Sequence, residues 1–140
     1  MFFALLLSGV PALSAAEGPM APLPWNWQAN KENCPEPADA VWVDYPNGQD
    51  CIRYFTGGDV IDAPVAIIIF RGDRTGAAHR EPENIRYNTP HEQRAVAERL
   101  ARQTNLPVVI VARPGTYGSS GDHAKRRQLK EFLALDAALD

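Results

Sequence analysis

Two uninterrupted apolar runs dominate the hydrophobic pattern of the chain. Residues 65–70 and 108–112 are apolar throughout instead of alternating, which is typical of strands buried on both faces of a sheet. Between them, the Thr-Pro-His-Glu sequence at residues 89–92 is a capping box with proline at the first helical position. It predicts a helix that ends near Gln103. The order strand, helix, strand predicts a right-handed βαβ crossover with parallel strands.

A β-hairpin is predicted upstream of this unit. The Asn-Gly dipeptide at residues 47–48 is a strong turn signal, and it lies between the strand-like runs 41–45 and 51–55. Counting outward from a type I′ turn at this dipeptide pairs Val43 with Ile52, so their side chains would share one face.

A final helix is predicted after the second apolar strand. In residues 125–139, Leu129, Phe132 and Leu133 are spaced to share one face. A strand as apolar as 108–112 needs a neighbour on each side and helices on both faces, but only two helices and no later strand are predicted. We therefore expect an open apolar edge, which further βα units or dimerisation would cover.

The N-terminal residues have the character of an export signal. Residues 1–16 carry no charge, begin with an apolar run and end in small residues before Glu17, although no Lys or Arg precedes the run. We interpret them as a secretory signal peptide, with an apolar N-terminal strand of a cytosolic protein as the alternative. The run is too short to span a bilayer, which takes about 20 apolar residues, so no stable membrane anchor is expected.

The rest of the chain divides into a leader and one domain. Residues 17–37 are rich in proline and tryptophan without periodicity, and they predict an extended leader that lies over the domain at 38–140. The two cysteines, Cys34 and Cys51, favour a single disulfide in a secreted or periplasmic protein, with two buried thiols as the alternative. The predicted hairpin register sets Cys51 opposite Asp44, so the disulfide would tie the leader to the hairpin.

Composition and charge narrow the classes of function. The chain of 140 residues is 45% hydrophobic and 22% charged, which fits one globular domain. With a net charge of −3, the chain lacks the excess of basic residues that is typical of nucleic-acid-binding proteins. No nucleic acid partner is therefore expected. The histidines at 79, 91 and 123 have no partners at metal-ligand spacing, and we expect no metal and no cofactor.

Two loops carry a resemblance to a known family. The first apolar strand ends in Phe-Arg-Gly-Asp at 70–73, and the second is followed by the loop 113–123, which contains P-G-x-x-G-S-S-G. With the hairpin, strand, helix and strand around them, these loops resemble the first half of an α/β-hydrolase of the exported bacterial kind. The resemblance covers residues 38–140. It implies an α/β fold: a partial hydrolase-type sheet with an N-terminal hairpin, one βαβ crossover and a trailing helix.

The resemblance also implies site residues. In that family the loop after the first long buried strand supplies a backbone N–H to the oxyanion hole, which makes Asp73 the donor and lets Gly72 bring the backbone close to substrate. Arg71 stands where the family often has histidine. The second loop would form the pocket rim, with Gly115, Tyr117, Ser119, Ser120 and His123 as its candidate residues.

No catalytic residue is assigned within the chain. The family needs serine on a G-x-S-x-G turn directly after a strand. Ser120 has glycine two positions before it, but Asp122 replaces the second glycine and a Pro-Gly turn separates it from its strand. We interpret Ser119 and Ser120 as loop or capping residues, with a triad of Ser120, Asp73 and His123 as the weaker alternative.

The resemblance therefore implies an enzyme whose nucleophile, acid and catalytic histidine lie beyond Asp140. Its full-length form would act on a small-molecule ester or amide, while this chain by itself would be inactive. The competing hypothesis is a secreted binding module that recruits a partner through Trp25, Trp27 and the open sheet edge.

Overall fold

A computed structural model describes residues 18–35, 39–72 and 80–140, which form one mixed sheet of four strands with a helix on each face. The predicted α/β character, with its hairpin, crossover and trailing helix, is confirmed. The predicted signal peptide, Asp73 and His79 lie outside the described residues. The elements are β1 (Ala40–Tyr45), β2 (Gly48–Gly57), β3 (Ile67–Arg71), α1 (Pro90–Thr104), β4 (Val108–Ala112) and α2 (Leu129–Ala137).

The hairpin forms, but its predicted register is wrong. β1 and β2 pair antiparallel with Val41 opposite Ile52, whereas Val43 lies opposite Asp50. The predicted pairing differs from the observed one by two residues, which preserves the faces of the side chains but changes their partners. Val43 and Ile52 therefore still belong to the same buried cluster.

The turn explains the shift. Tyr45 pairs with Gly48, so the two loop residues are Pro46 and Asn47 rather than Asn47 and Gly48. Proline fixes its own φ near −65°, which suits the first loop position, and Asn47 adopts the left-handed conformation with φ 63° at the second. The proline thus places the turn one residue earlier than the Asn-Gly signal.

The βαβ crossover is confirmed. β3 and β4 are parallel, with Ile67 opposite Val108, and α1 connects them. Thr89 caps α1: its side chain accepts from the Glu92 N–H at 3.2 Å, and Glu92 accepts from the Thr89 N–H at 3.2 Å. Asn105 ends the helix in the left-handed conformation.

The strand order decides which apolar strand is buried. The order is β1-β2-β4-β3, so β4 lies between β2 and β3, and no described strand pairs with the outer edge of β3. Burial on both faces is confirmed for β4 and is wrong for β3, where Ile68 and Phe70 are exposed. The expected open edge exists, but it belongs to β3 because β2 covers the other side of β4.

The core has two layers, one on each face of the sheet. The layer under α1 includes Phe55, Ala97, Ala101, Val108 and Ile110. The layer under α2 includes Val43, Ile52, Val111, Ala134 and Leu135, and α2 packs mainly on β1 and β2.

The orientation of α2 differs from the prediction. Leu129 and Phe132 are 72% and 61% exposed, whereas Glu131, Ala134 and Leu135 are buried. The face was misassigned because Glu131 points inward to form an ion pair, which turns the apolar residues on either side of it outward. The helix is also shorter than the predicted segment 125–139.

Gly57 provides a test of how α1 packs on the sheet. A Cβ at Gly57 would lie 2.2 Å from the Ala97 carbonyl carbon, so Gly57→Ala forces α1 away from β2. We expect urea unfolding to report a loss of about 1–3 kcal/mol. Gly18→Ala is the control, because nothing lies within 4 Å of a Cβ there. Equal stability of the two variants would contradict this packing.

Candidate functional site

The carboxyl ends of β3 and β4 lie side by side, with Arg71 opposite Ala112. The loops that follow these two strands therefore begin at the same end of the sheet. Ligands of open α/β sheets bind outside the carboxyl ends of the strands, so this end of the sheet is the candidate site.

The two loops are in direct contact at Gly72. The Arg113 N–H donates to the Arg71 carbonyl at 2.9 Å, and the Thr116 hydroxyl lies 3.3 Å from the same oxygen. Gly72 has φ 146°, and a Cβ there would lie 2.8 Å from Thr116 Oγ1. Only glycine allows this approach of the two loops. The role of Gly72 and Asp73 in an oxyanion hole stays a prediction.

Arg71 joins three parts of the site. Its guanidinium carbon lies 5.0 Å from the ring centre of Tyr117 and 5.9 Å from that of Tyr87, within the range of cation–π attraction. Its Nη1 also donates to Gln93 Oε1 in α1 at 3.1 Å. Arg71 therefore connects the loop 113–123 that follows β4, the β4 loop, to α1.

Ser119 is buried and forms two hydrogen bonds. Its hydroxyl donates to the Ala112 carbonyl at 2.7 Å and accepts from the Arg53 N–H at 2.8 Å. The side chain thus joins the end of β4 to β2. A hydroxyl held in this way is inaccessible to a substrate carbonyl.

Ser120 makes a similar connection one residue further on. Its hydroxyl donates to Asp50 Oδ1 at 2.7 Å and accepts from the Cys51 N–H at 2.9 Å, while its own N–H donates to the Cys51 carbonyl at 2.9 Å. Both serines therefore attach the β4 loop to β2, as their interpretation as loop residues implies.

The regularly spaced glycines of the β4 loop use their N–H groups within the protein. Gly115 donates to the Ser120 carbonyl at 2.8 Å, and Gly118 and Gly121 donate to the leader carbonyls of Pro24 and Trp27 at 2.9 and 2.8 Å. These amides therefore hold the loop together and attach it to the leader.

The leader covers this loop. Leu23 is fully buried, the Trp25 indole donates to Asn88 Oδ1 at 2.9 Å, and the Trp27 indole donates to the Gly118 carbonyl at 3.1 Å. Residues 23–27 of the leader are therefore held against the domain.

The disulfide between Cys34 and Cys51 is present, with the Cα atoms 5.6 Å apart. It ties the leader to β2 at the residue that also binds Ser120. Cys51 lies opposite Trp42, not opposite Asp44 as the predicted register had it.

The residues proposed for the pocket rim lie beneath the leader. Tyr117, Ser119, Ser120 and His123 are all buried, and Gly115 packs against the His123 backbone. The Trp25 ring contacts Tyr117 and His123 edge to face at centroid distances of 4.9 and 5.4 Å. Their function at a pocket rim stays a prediction.

Tyr117 has a buried polar atom that calls for an explanation. Among the described residues, the Tyr117 hydroxyl stands out because it is buried and has no hydrogen-bond partner. The residue also adopts φ 42°, which is uncommon for a bulky side chain. Unsatisfied groups and strained backbone concentrate at functional sites.

Two polar clusters were missed by the sequence analysis. Asp50 accepts hydrogen bonds from Ser120 and from the Tyr45 hydroxyl, and burial together with this bond raises the pKa of Tyr45 above its ordinary value. Aspartate is depleted in strands, so its presence at position 50 was the available signal.

The second cluster is an ion pair between the β4 loop and α2. Arg113 Nε and Nη2 donate to Glu131 at 2.6 and 3.0 Å, and both side chains are only 8% exposed. Removing one partner of such a pair leaves a buried charge, which is strongly destabilising. No sequence spacing identifies this pair, because it joins separate elements.

The described ranges 18–35, 39–72 and 80–140 contain no group of three or more potential metal ligands. None of their helices is long and apolar enough to cross a bilayer.

No family model matches the chain, and no curated protein and no solved structure matches it either.

The Tyr117 hydroxyl leads to a prediction with a matched control. Tyr117→Phe removes an unsatisfied buried group, so we expect the free energy of unfolding to rise by about 1 kcal/mol in a urea titration. Tyr45→Phe removes a hydroxyl that donates to Asp50, and should lower it by a similar amount. A large loss of stability in Tyr117→Phe would show that its hydroxyl has a partner after all.

Proposed function

We propose that this chain is the N-terminal part of an exported α/β-hydrolase that cleaves an ester or amide through a serine beyond Asp140. The observation that carries the proposal is the sheet itself: an antiparallel hairpin leads into a parallel β3–α1–β4 unit, and β3 is left at an open edge. A further parallel strand has that edge available.

The position of Gly72 supports the same reading. It lies between β3 and α1, where hydrolases of this fold draw an oxyanion donor from the loop. In the proposed reaction the serine oxygen attacks the substrate carbonyl carbon, and the charge that develops on the carbonyl oxygen is stabilised by backbone N–H groups. The tetrahedral intermediate then collapses: the ester or amide bond breaks, and the alcohol or amine leaves with the proton that a base has taken from the serine. Water finally cleaves the acyl-serine bond, which releases the carboxylic acid and restores the serine hydroxyl.

The described serines support a nucleophile elsewhere. Ser119 and Ser120 are buried, and their hydroxyl protons are donated to the Ala112 carbonyl and to Asp50. The buried disulfide supports export, because such bonds persist in oxidising compartments.

The binding-module hypothesis loses part of its surface. The indole N–H groups of Trp25 and Trp27 are already bonded to Asn88 and Gly118. Binding a partner through these N–H groups would require both bonds to break, which favours the open edge of β3 as the surface of such a module.

A serine-directed fluorophosphonate probe tests the proposal. The 140-residue chain should remain unlabelled, because the buried serines cannot reach the phosphorus. The chain extended through its own downstream coding sequence should be labelled at one serine beyond Asp140, and replacing that serine by alanine should abolish labelling. Stoichiometric labelling at Ser119 or Ser120, or an extension with no labelled serine, would refute the proposal.

A further inference from the structure

Arg71 is a half-buried cation without a paired negative charge. Among residues 18–35, 39–72 and 80–140, no carboxylate forms an ion pair with it, whereas other arginines of these ranges do have carboxylate partners. Removing a charge from water costs free energy unless an opposite charge or hydrogen bonds compensate for it. The environment of Arg71 therefore favours an anionic ligand.

Three neighbours hold the Arg71 side chain in one position. The ring centres of Tyr117 and Tyr87 lie 5.0 and 5.9 Å from its guanidinium carbon, and its Nη1 donates to Gln93 Oε1 at 3.1 Å. Gln93 is fully buried, and its amide nitrogen donates to the Tyr87 carbonyl, which fixes the orientation of Oε1 toward Arg71. Because the guanidinium is already ordered, a ligand that binds it loses little affinity to side-chain ordering.

The guanidinium keeps N–H groups for a ligand. Arginine has five N–H donors in a planar fork, and the bond to Gln93 uses one of them. A carboxylate accepts two parallel bonds from such a fork, and these charge-assisted bonds are roughly twice as strong as neutral ones. The nearby Arg86 is exposed and donates to the Tyr87 hydroxyl at 2.7 Å, so its charge is solvated. One buried positive charge therefore matches the single negative charge of a carboxylate better than the two of a phosphate monoester.

Arg71 lies where a substrate would bind. It is the last residue of β3, at the carboxyl end of the sheet, and Gly72 directly follows it in the loop that supplies the oxyanion donor in the proposed function. We propose that Arg71 binds a carboxylate of the substrate, so that the enzyme acts on esters or amides that carry a carboxylate a few bonds from the scissile carbonyl. The substrate role rests on the proposed hydrolase function, whereas the carboxylate site itself requires no nucleophile.

Two related esters test the site on the 140-residue chain without any catalysis. Monomethyl succinate carries one carboxylate, and dimethyl succinate is its neutral counterpart. In an NMR titration, monomethyl succinate should shift the Arg71 Nε–H resonance in a saturable manner, and it should bind at least about tenfold more tightly than the diester, a difference of 1.4 kcal/mol. Equal binding of the two esters, or tighter binding of methyl phosphate than of monomethyl succinate, would overturn the proposal.

Variants of Arg71 test the role of its fork. Arg71→Gln should weaken binding of monomethyl succinate by about tenfold, measured at the Gly72 amide, and Arg71→Lys should give an intermediate affinity because it keeps the charge without the fork. Arg102→Gln is the matched control, because the Arg102 side chain is 70% exposed on α1. Equal binding by the Arg71 and Arg102 variants would contradict the site. The comparison of the two esters on the unchanged chain remains a test where a variant does not fold.

The chain extended through its downstream coding sequence separates this inference from the proposed function. In an active extended chain, Arg71→Gln should lower kcat/KM for monomethyl succinate about tenfold more than for the diester. Equal losses for both esters would show a structural role and overturn the substrate assignment. Loss of carboxylate binding in the extended chain would also overturn it, because a downstream carboxylate would then pair with Arg71. An extension without a reactive serine would refute the hydrolase, yet the binding result on the 140-residue chain would stand.

Discussion

The difference in length between β2 and β4 is the constraint on which the rest of the structure depends. β2 has ten residues and β4 has five, and the two pair only from Tyr54 to Gly57. The N–H groups of Cys51 and Arg53 therefore lie beyond the last β2–β4 pair, and both residues are buried. Buried backbone donors need partners, and the hydroxyls of Ser119 and Ser120 supply them.

The hydrogen bonds between the two serines and β2 determine how the chain folds at the carboxyl end of the sheet. The β4 loop must fold back to bring its serines to β2, and this return brings Gly115 within hydrogen-bond distance of the Ser120 carbonyl. The leader carbonyls then accept from the N–H groups of Gly118 and Gly121, and the disulfide at Cys51 ties the leader to the same strand. The two serines thus have a structural role, and the proposed function assigns the nucleophile to a different serine.

The elements that could be predicted from the sequence are those set by local chemistry. The capping box at Thr89 and the apolar runs located α1, β3 and β4, because their signals are contained within a few residues. The predicted hairpin register was wrong because Pro46 occupies the first position of the turn, so the turn lies one residue earlier than Asn47-Gly48 implies. The buried face of α2 was predicted wrongly because Glu131 pairs with Arg113. This contact joins separate elements, so no periodicity in the sequence reveals it.

The candidate site divides in the same way. Gly72 could be predicted to follow a strand because it comes after an apolar run in the sequence. The disulfide between Cys34 and Cys51 could be predicted because the chain has two cysteines. The connections of Arg71 to Tyr117 and of Ser120 to Asp50 depend on which strands lie side by side. Ile68 and Phe70 are likewise exposed because β3 is the strand farthest from α2 on this face of the sheet.

Amide hydrogen exchange tests the central claim about the serines most directly. Ser119→Ala should speed exchange at the Arg53 amide by about tenfold relative to the amides of β4, and Ser120→Ala should do the same at Cys51, since each loses one hydrogen bond. Each variant should leave the other amide nearly unchanged. Wild-type protection of both amides in both variants would contradict the account.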